Sequence, residues 1–157
     1  MTVEQRIVFY IYDDNGNLIN DATKGITNIS YNDLNLPTRV TFTGGRNIEF
    51  VYDANGIKLS KRAQNGPLVT LTEYSGNYVY VKVGTNLPQL QYISQPEGYV
   101  SNNNGTYSYV YQYADHLGNI RLSYTDTDKN GIATSNEIIE ENNYYPFGLK
   151  HKGYNNI

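Results

Sequence analysis

The segment Tyr52-Asp53-Ala54-Asn55-Gly56-Ile57-Lys58-Leu59 places an Asn-Gly pair between two runs of strand-forming residues. Ile48, Phe50 and Tyr52 share one face ahead of it, and Ile57–Arg62 answers beyond it. Asn-Gly in that setting is the strongest short-range hairpin signal, because both residues accept positive φ and let the chain reverse in two residues. The Asp supplies an acceptor for backbone amides inside the turn, and the Tyr ends the incoming strand with an amphipathic ring. Tyr12-Asp13-Asp14-Asn15-Gly16-Asn17-Leu18 repeats the arrangement. Tyr31-Asn32-Asp33-Leu34-Asn35-Leu36-Pro37 is a related unit between them. A looser copy, one residue longer before its Gly, is Tyr113-Ala114-Asp115-His116-Leu117-Gly118-Asn119-Ile120-Arg121-Leu122. Tyr12 to Tyr31 is 19 positions and Tyr31 to Tyr52 is 21. A period near twenty marks units that cannot bury an apolar face alone and need neighbours.

Composition agrees with an all-β chain. Seventeen Tyr and fourteen Gly stand among many Thr and Asn, with no Cys, no Trp and a single Met. Tyr, Val, Ile and Thr suit a half-buried pleated surface, and Gly and Asn suit the turns. Further strands are expected at Ile7–Tyr12, Gly25–Tyr31, Thr38–Phe42, Asn77–Gly84, Thr106–Tyr113, Ile120–Tyr124 and Glu137–Glu141. No helical periodicity with caps is present. Three regions are predicted: hairpin repeats over 1–84, an irregular segment with two prolines over 85–105, and a second β region over 106–157 carrying an Asp-rich loop. Ser101–Gly105 reads as a plain turn or loop, and Tyr92-Ile93 and Tyr99-Val100 before it are candidates for short strands.

A formal net charge of −3, with Lys and Arg scattered, gives no electrostatic footprint for nucleic acid. Without Cys, disulfides and thiolate metal sites are both excluded. No run approaches the length of a membrane-spanning helix, and the first residues lack the pattern of a signal peptide.

Asp126-Thr127-Asp128-Lys129-Asn130-Gly131-Ile132-Ala133-Thr134-Ser135-Asn136-Glu137 follows a calcium-loop template at its first, third, fifth, sixth and twelfth places. Asp126, Asp128 and Asn130 would offer oxygens to one centre, Gly131 the sharp turn, the Ile132 carbonyl a further ligand and Glu137 a bidentate closure. Thr134, at the ninth place, would hold a water. The expected cofactor is Ca²⁺; the expected flanks are strands, not helices. The same residues also make an ordinary polar hairpin tip.

The row Tyr107, Tyr109, Tyr111 and Tyr113 puts four rings on one strand face. It is either a packed ladder or an exposed platform for glycans. Asp115 beside His116 suggests an acid–base pair, and Glu140 beside Glu141 two carboxylates. Strand neighbours point to opposite faces, so neither pair is expected to work on one bond, and no catalytic residues are assigned.

The Tyr-Asp turns, the Asp115–Arg121 segment and the Tyr144-Tyr145-Pro146-Phe147-Gly148 segment together resemble the Rhs or YD-repeat family. The tail from Glu140 to Asn155 is similar to the repeat-associated core of Bacteroidetes-type members. The resemblance implies a curved spiral sheet of antiparallel hairpins, part of a hollow shell around a C-terminal toxin or effector. It further implies a secreted or cell-surface protein whose partners are adjoining repeats and that effector. Nothing here matches the family's self-cleavage motif, so neither protease nor toxin activity is carried over. The chain is expected to be a piece of shell wall, a fragment or a truncated reading frame. The alternative is a Tyr-rich module binding glycans or cell wall.

Overall fold

The computed structural model describes residues 9–151. Thirteen strands form one sheet whose spatial order is the chain order. They are β1 (Tyr10–Tyr12), β2 (Leu18–Asp21), β3 (Ile26–Tyr31), β4 (Pro37–Phe42), β5 (Asn47–Tyr52), β6 (Lys58–Asn65) and β7 (Leu68–Ser75). There follow β8 (Tyr78–Val83), β9 (Gln89–Gln95), β10 (Gly98–Asn103), β11 (Thr106–Ala114), β12 (Ile120–Tyr124) and β13 (Ile138–Glu141). Each described register is antiparallel. Apart from strands, the described residues form three one-turn 3₁₀ helices, at Ala22–Lys24, Thr43–Gly45 and Pro146–Gly148. The fold is the all-β hairpin array that the repeat predicts. Residues 7 and 8 of the first expected strand lie outside the described residues.

The strands group into two compact units, one holding β1 to β7 with Tyr80–Gln89, the other Gly76–Val79 with the strands from Leu90 onward. In the first unit, Ile29, Val40, Ile48, Ala63 and Thr70 lie in register across five strands. The adjacent row, on the opposite face, is Ser30, Arg39, Glu49, Arg62 and Leu71. There Glu49 takes Arg62 Nη1 at 3.1 Å and Arg39 Nε at 3.9 Å. Period-two alternation thus separates an apolar face from an ion-paired one. Among the described residues the buried apolar side chains are Ile29, Val79 and Val110. Ladder hydrogen bonds and cross-strand pairs, more than a core, hold these strands together.

Three expectations are corrected. The span 85–105 holds two full strands, β9 and β10, paired from Gly98↔Gln95 to Ser101↔Tyr92. Gln, Ser and Asn along them hide the alternation, but the ladder uses backbone groups. Pro88 and Pro96 lie just outside the strand ends, where a missing N–H breaks no ladder bond. Ser101–Asn103 accordingly belong to β10, and Gly98 (φ 148°) lets it approach β11: a Cβ there would lie 2.0 Å from the Val110 carbonyl oxygen.

The second correction concerns the turns, which reverse over five residues and not two. Gly16 and Gly56 take positive φ while Asn15 and Asn55 do not, and each hairpin carries a bulge beside its Tyr. This is a type I turn followed by one left-handed residue, not a primed two-residue turn. Thirdly, the Asp115 turn is not looser than the others. Asp-to-Gly spacing is the same in all three copies, and Ala114 is an extra residue ahead of the turn.

Candidate metal centre

Asx residues build both ends of these hairpins, in two different ways. At one end stand the five-residue turns. Asp13 Oδ1 accepts from Asn15 N at 3.0 Å and Asn17 N at 2.8 Å. Asp53 Oδ1 accepts from Asn55 N and Ile57 N, both at 2.8 Å. Asn32 does the same with Leu34 N and Leu36 N, and Asp115 with Leu117 N and Asn119 N. In each turn the first N–H donates to the fifth carbonyl and the fourth N–H to the first carbonyl. Asp115 is the most fully engaged: its Oδ2 also accepts from Asn119 Nδ2 at 3.1 Å and Arg121 Nε at 3.0 Å. The Asn119 side chain foremost, then the turn amides and Arg121, hold its pKa at about 2. A carboxylate so committed stays ionised near neutral pH, and His116 beside it is exposed. Arg121, which also lies over the Tyr144 ring at 5.4 Å, was not singled out in the sequence. The signal was an Arg six places after the turn Asp.

At the other end of β12 and β13 lies the Asp-rich loop, residues 125–137. Its flanks are strands, as the sequence suggests. The backbone takes left-handed φ at Lys129 (58°) and Gly131 (76°), winding the loop back on itself. Oxygens of Asp126, Asp128 and Glu137 come within 4.8 Å of one another. Glu137 is 8% exposed and Asp128 is exposed. Asp126 accepts from Asn130 N and Gly131 N, both at 3.0 Å. Asp128 accepts from Asn130 Nδ2 at 2.7 Å. Glu137 accepts from Thr134 N (3.1 Å), Thr134 Oγ1 (2.8 Å) and Thr127 N (2.7 Å), and these bonds, Thr134 first, lower its pKa. Asn130 Oδ1 accepts from Ile132 N at 2.7 Å. The structure therefore gathers the three carboxylates and ties Asn130 to Ile132; Thr134 is bonded to Glu137. Among the described residues, no Lys or Arg forms an ion pair with any of the three. Three hard, converging anionic groups without a basic partner suit a hard cation.

The tyrosine row divides. Tyr109 and Tyr111 are half-buried, with ring centroids 4.5 Å apart, and Tyr111 stacks on Tyr124 of the next strand at 5.3 Å. Tyr107 and Tyr113, at the two ends, are 57% and 66% exposed. Glu140 pairs with Lys150, which lowers its pKa.

No protein-family model matches the chain. No curated protein matches it either. Solved structures do. The chain is similar to a chain of the Photorhabdus luminescens Tc holotoxin pore, with a TM-score of 0.68 over 88% of this chain at 18% identity. It is also similar to a chain in the crystal structure of TcdB2-TccC3-TEV, and to one in TcdB2-TccC3 without its hypervariable C-terminal region. Each of these has a TM-score of 0.61 over 80% of this chain at 18% identity. The chain spans about 7% of the length of these matched chains. What they share with it is the fold: an antiparallel β-hairpin array.

Proposed function

We propose that this chain is a stretch of shell wall from an Rhs/YD-repeat protein, structural and not enzymatic. In this reading it encloses or presents a C-terminal effector that lies beyond these residues. The observation that carries it is the sheet itself: strands stacked in strict chain order with three buried apolar side chains among the described residues. A layer with so little core of its own is finished by neighbours. The likeness to small portions of Tc toxin chains supports the same reading, as do the Tyr-Asp turns and the Bacteroidetes-type tail. Its partners are the adjoining repeats and the effector, and its place is outside the cell or on its surface as part of a larger protein. The test is protease treatment of the longest polypeptide encoded around this stretch. The C-terminal region should stay protected until the sheet unfolds. A reading frame without further hairpins, or a C-terminal region cut at the rate of a free peptide, would contradict it.

A second role rests on the converging carboxylates. The 125–137 loop binds one Ca²⁺ through Asp126, Asp128 and Glu137, with Asn130 and the Ile132 carbonyl completing the set. Extracellular modules of this kind work at a Kd of about 10⁻⁴–10⁻³ M. Calorimetric titration of chelator-treated protein should show one site, absent in Asp128→Ala; no heat at millimolar calcium would reduce the loop to a turn. The glycan reading has the exposed rings of Tyr107 and Tyr113 in its favour, but Tyr109 and Tyr111 are occupied with each other and with Tyr124.

A further inference from the structure

Wherever two five-residue turns stand side by side, the third or fifth residue of one meets the fourth residue of the next. Asn15 and Asn17, third and fifth in the first turn, both donate Nδ2 to Asn35 Oδ1, at 3.3 and 2.9 Å. Asn35 is fourth in the second turn. Leu34 and Leu36, third and fifth there, lie over Gly56, fourth in the third turn. A Cβ on Gly56 would sit 3.1 Å from Leu36 Cδ1 and 3.7 Å from Leu34 Cδ1. Further along, Asn119, fifth in the Asp115 turn, lies 3.2 Å from the Cβ position of Gly148. Gly148 is fourth in the turn Tyr145-Pro146-Phe147-Gly148-Leu149, which closes with the same two backbone bonds. Two amides meet an amide at the first contact, two leucines meet a glycine at the second, and one Asn meets a glycine at the third.

Two surfaces are left over at the ends of this series. Phe147 and Leu149, third and fifth in the last turn, are 103% and 67% exposed. Phe147 also holds φ 72°, a left-handed conformation that a bulky side chain rarely adopts. At the other end, Gly16, fourth in the first turn, has nothing within 4 Å of its Cβ position among the described residues. Beside it, β1 has a described partner on one side only and exposes Tyr10, Ile11 and Tyr12. Gly118 is open too, but the strand next to it, β11, is already paired with β10, so no further hairpin can be seated there.

We propose that these surfaces complete each other between molecules: Phe147 and Leu149 of one copy seat over Gly16 of a second copy, as Leu34 and Leu36 seat over Gly56. The contact is heterologous, so each addition leaves a free surface of each kind and association does not stop at two by necessity. It rests on the turn contacts and not on the shell reading.

The test uses the full chain and two variants in sedimentation velocity. Gly16→Asp keeps a residue that tolerates left-handed φ and fills the acceptor. Phe147→Asp/Leu149→Asp removes the apolar pair, and its carboxylates repel the one that Gly16→Asp introduces. Wild type should associate progressively between about 10 and 1,000 µM, and each variant alone should weaken that at least tenfold. Mixed one to one, the variants should form a complex of two copies and no larger species, since one intact surface of each kind remains. That result also shows both variants to be folded. A wild type that stays monomeric throughout would overturn the proposal and leave the pair to a hairpin further along a longer polypeptide. Variants that associate like wild type, or a mixture that gives no complex, would overturn it equally.

Discussion

The Asp115 turn and the 125–137 loop use the same residue types at opposite ends of β12 and reach opposite electrostatic ends. At Asp115 one carboxylate meets two backbone amides, an Asn side chain and an Arg, so its charge is answered within the turn. In the loop three carboxylates converge within 4.8 Å and, among the described residues, are answered by amides and hydroxyls with no basic side chain paired to them. An acidic residue in a turn is thus no guide to function by itself. What separates scaffold from candidate site is whether several carboxylates converge without a basic partner.

The largest effect should come from opening the closed end. Asp115→Ala strands two turn amides and Arg121, and should lower Tm by roughly 5 °C or more in thermal unfolding. Asp53→Ala, which loses two amide bonds and no Arg, should lower it less. Equal losses at the two sites would remove the distinction drawn for Asp115.

Next comes filling the open end. Calcium in about hundredfold excess over its Kd should raise Tm by roughly 5 °C, and Asp128→Ala should abolish the rise while changing the metal-free Tm little. A comparable rise in the variant would place the ion elsewhere.

Acid sharpens the contrast further. Asp115 has a folded pKa of about 2 against an ordinary 3.8, so its folded form holds the proton less tightly than its unfolded form. The stability it contributes is complete above about pH 4 and is lost as pH falls toward 2. Asp13 and Asp21 shift in the same direction, through the Asn17 and Thr23 side chains respectively. In Asp115→Ala the fall in Tm between pH 4 and pH 2 should be shallower than in wild type; identical profiles would mean the turn bonds do not discriminate between charge states. The smallest effect is expected at Asn35→Gly, which loses the contact with Asn15 and Asn17 yet keeps the left-handed turn. It should cost about 1 kcal/mol or less in denaturant unfolding.

Much of the strand order was legible because Tyr-Asp and Gly recur where the chain reverses. Asn55-Gly56 announced a hairpin correctly and its turn type wrongly, since an Asn-Gly pair also fits a bulged turn in which Gly alone is left-handed. β9 and β10 were legible only as short candidates at Tyr92-Ile93 and Tyr99-Val100, because a strand needs only its backbone to pair, and Gln89, Gln91, Ser94 and Gln95 carry no alternation. Asp126, Asp128 and Glu137 could be grouped from spacing alone. That Thr134 would bond Glu137, and that Asn130 would turn to Ile132, depends on how the loop closes. The contact of Leu34 and Leu36 with Gly56 joins turns about twenty residues apart, so it appears only once the register is known.

A hairpin array held strand to strand with little core differs from a cored domain above all in its heat capacity of unfolding. Unfolding a cored domain of this length raises the heat capacity by about 2 kcal/mol/K, because so much apolar surface enters water. Scanning calorimetry at dilute concentration should give a value well below that for this chain, near half, since the faces of the sheet are already wet. A value at or above about 2 kcal/mol/K would show a buried core that the described strands do not contain, and the wall-segment account would fall.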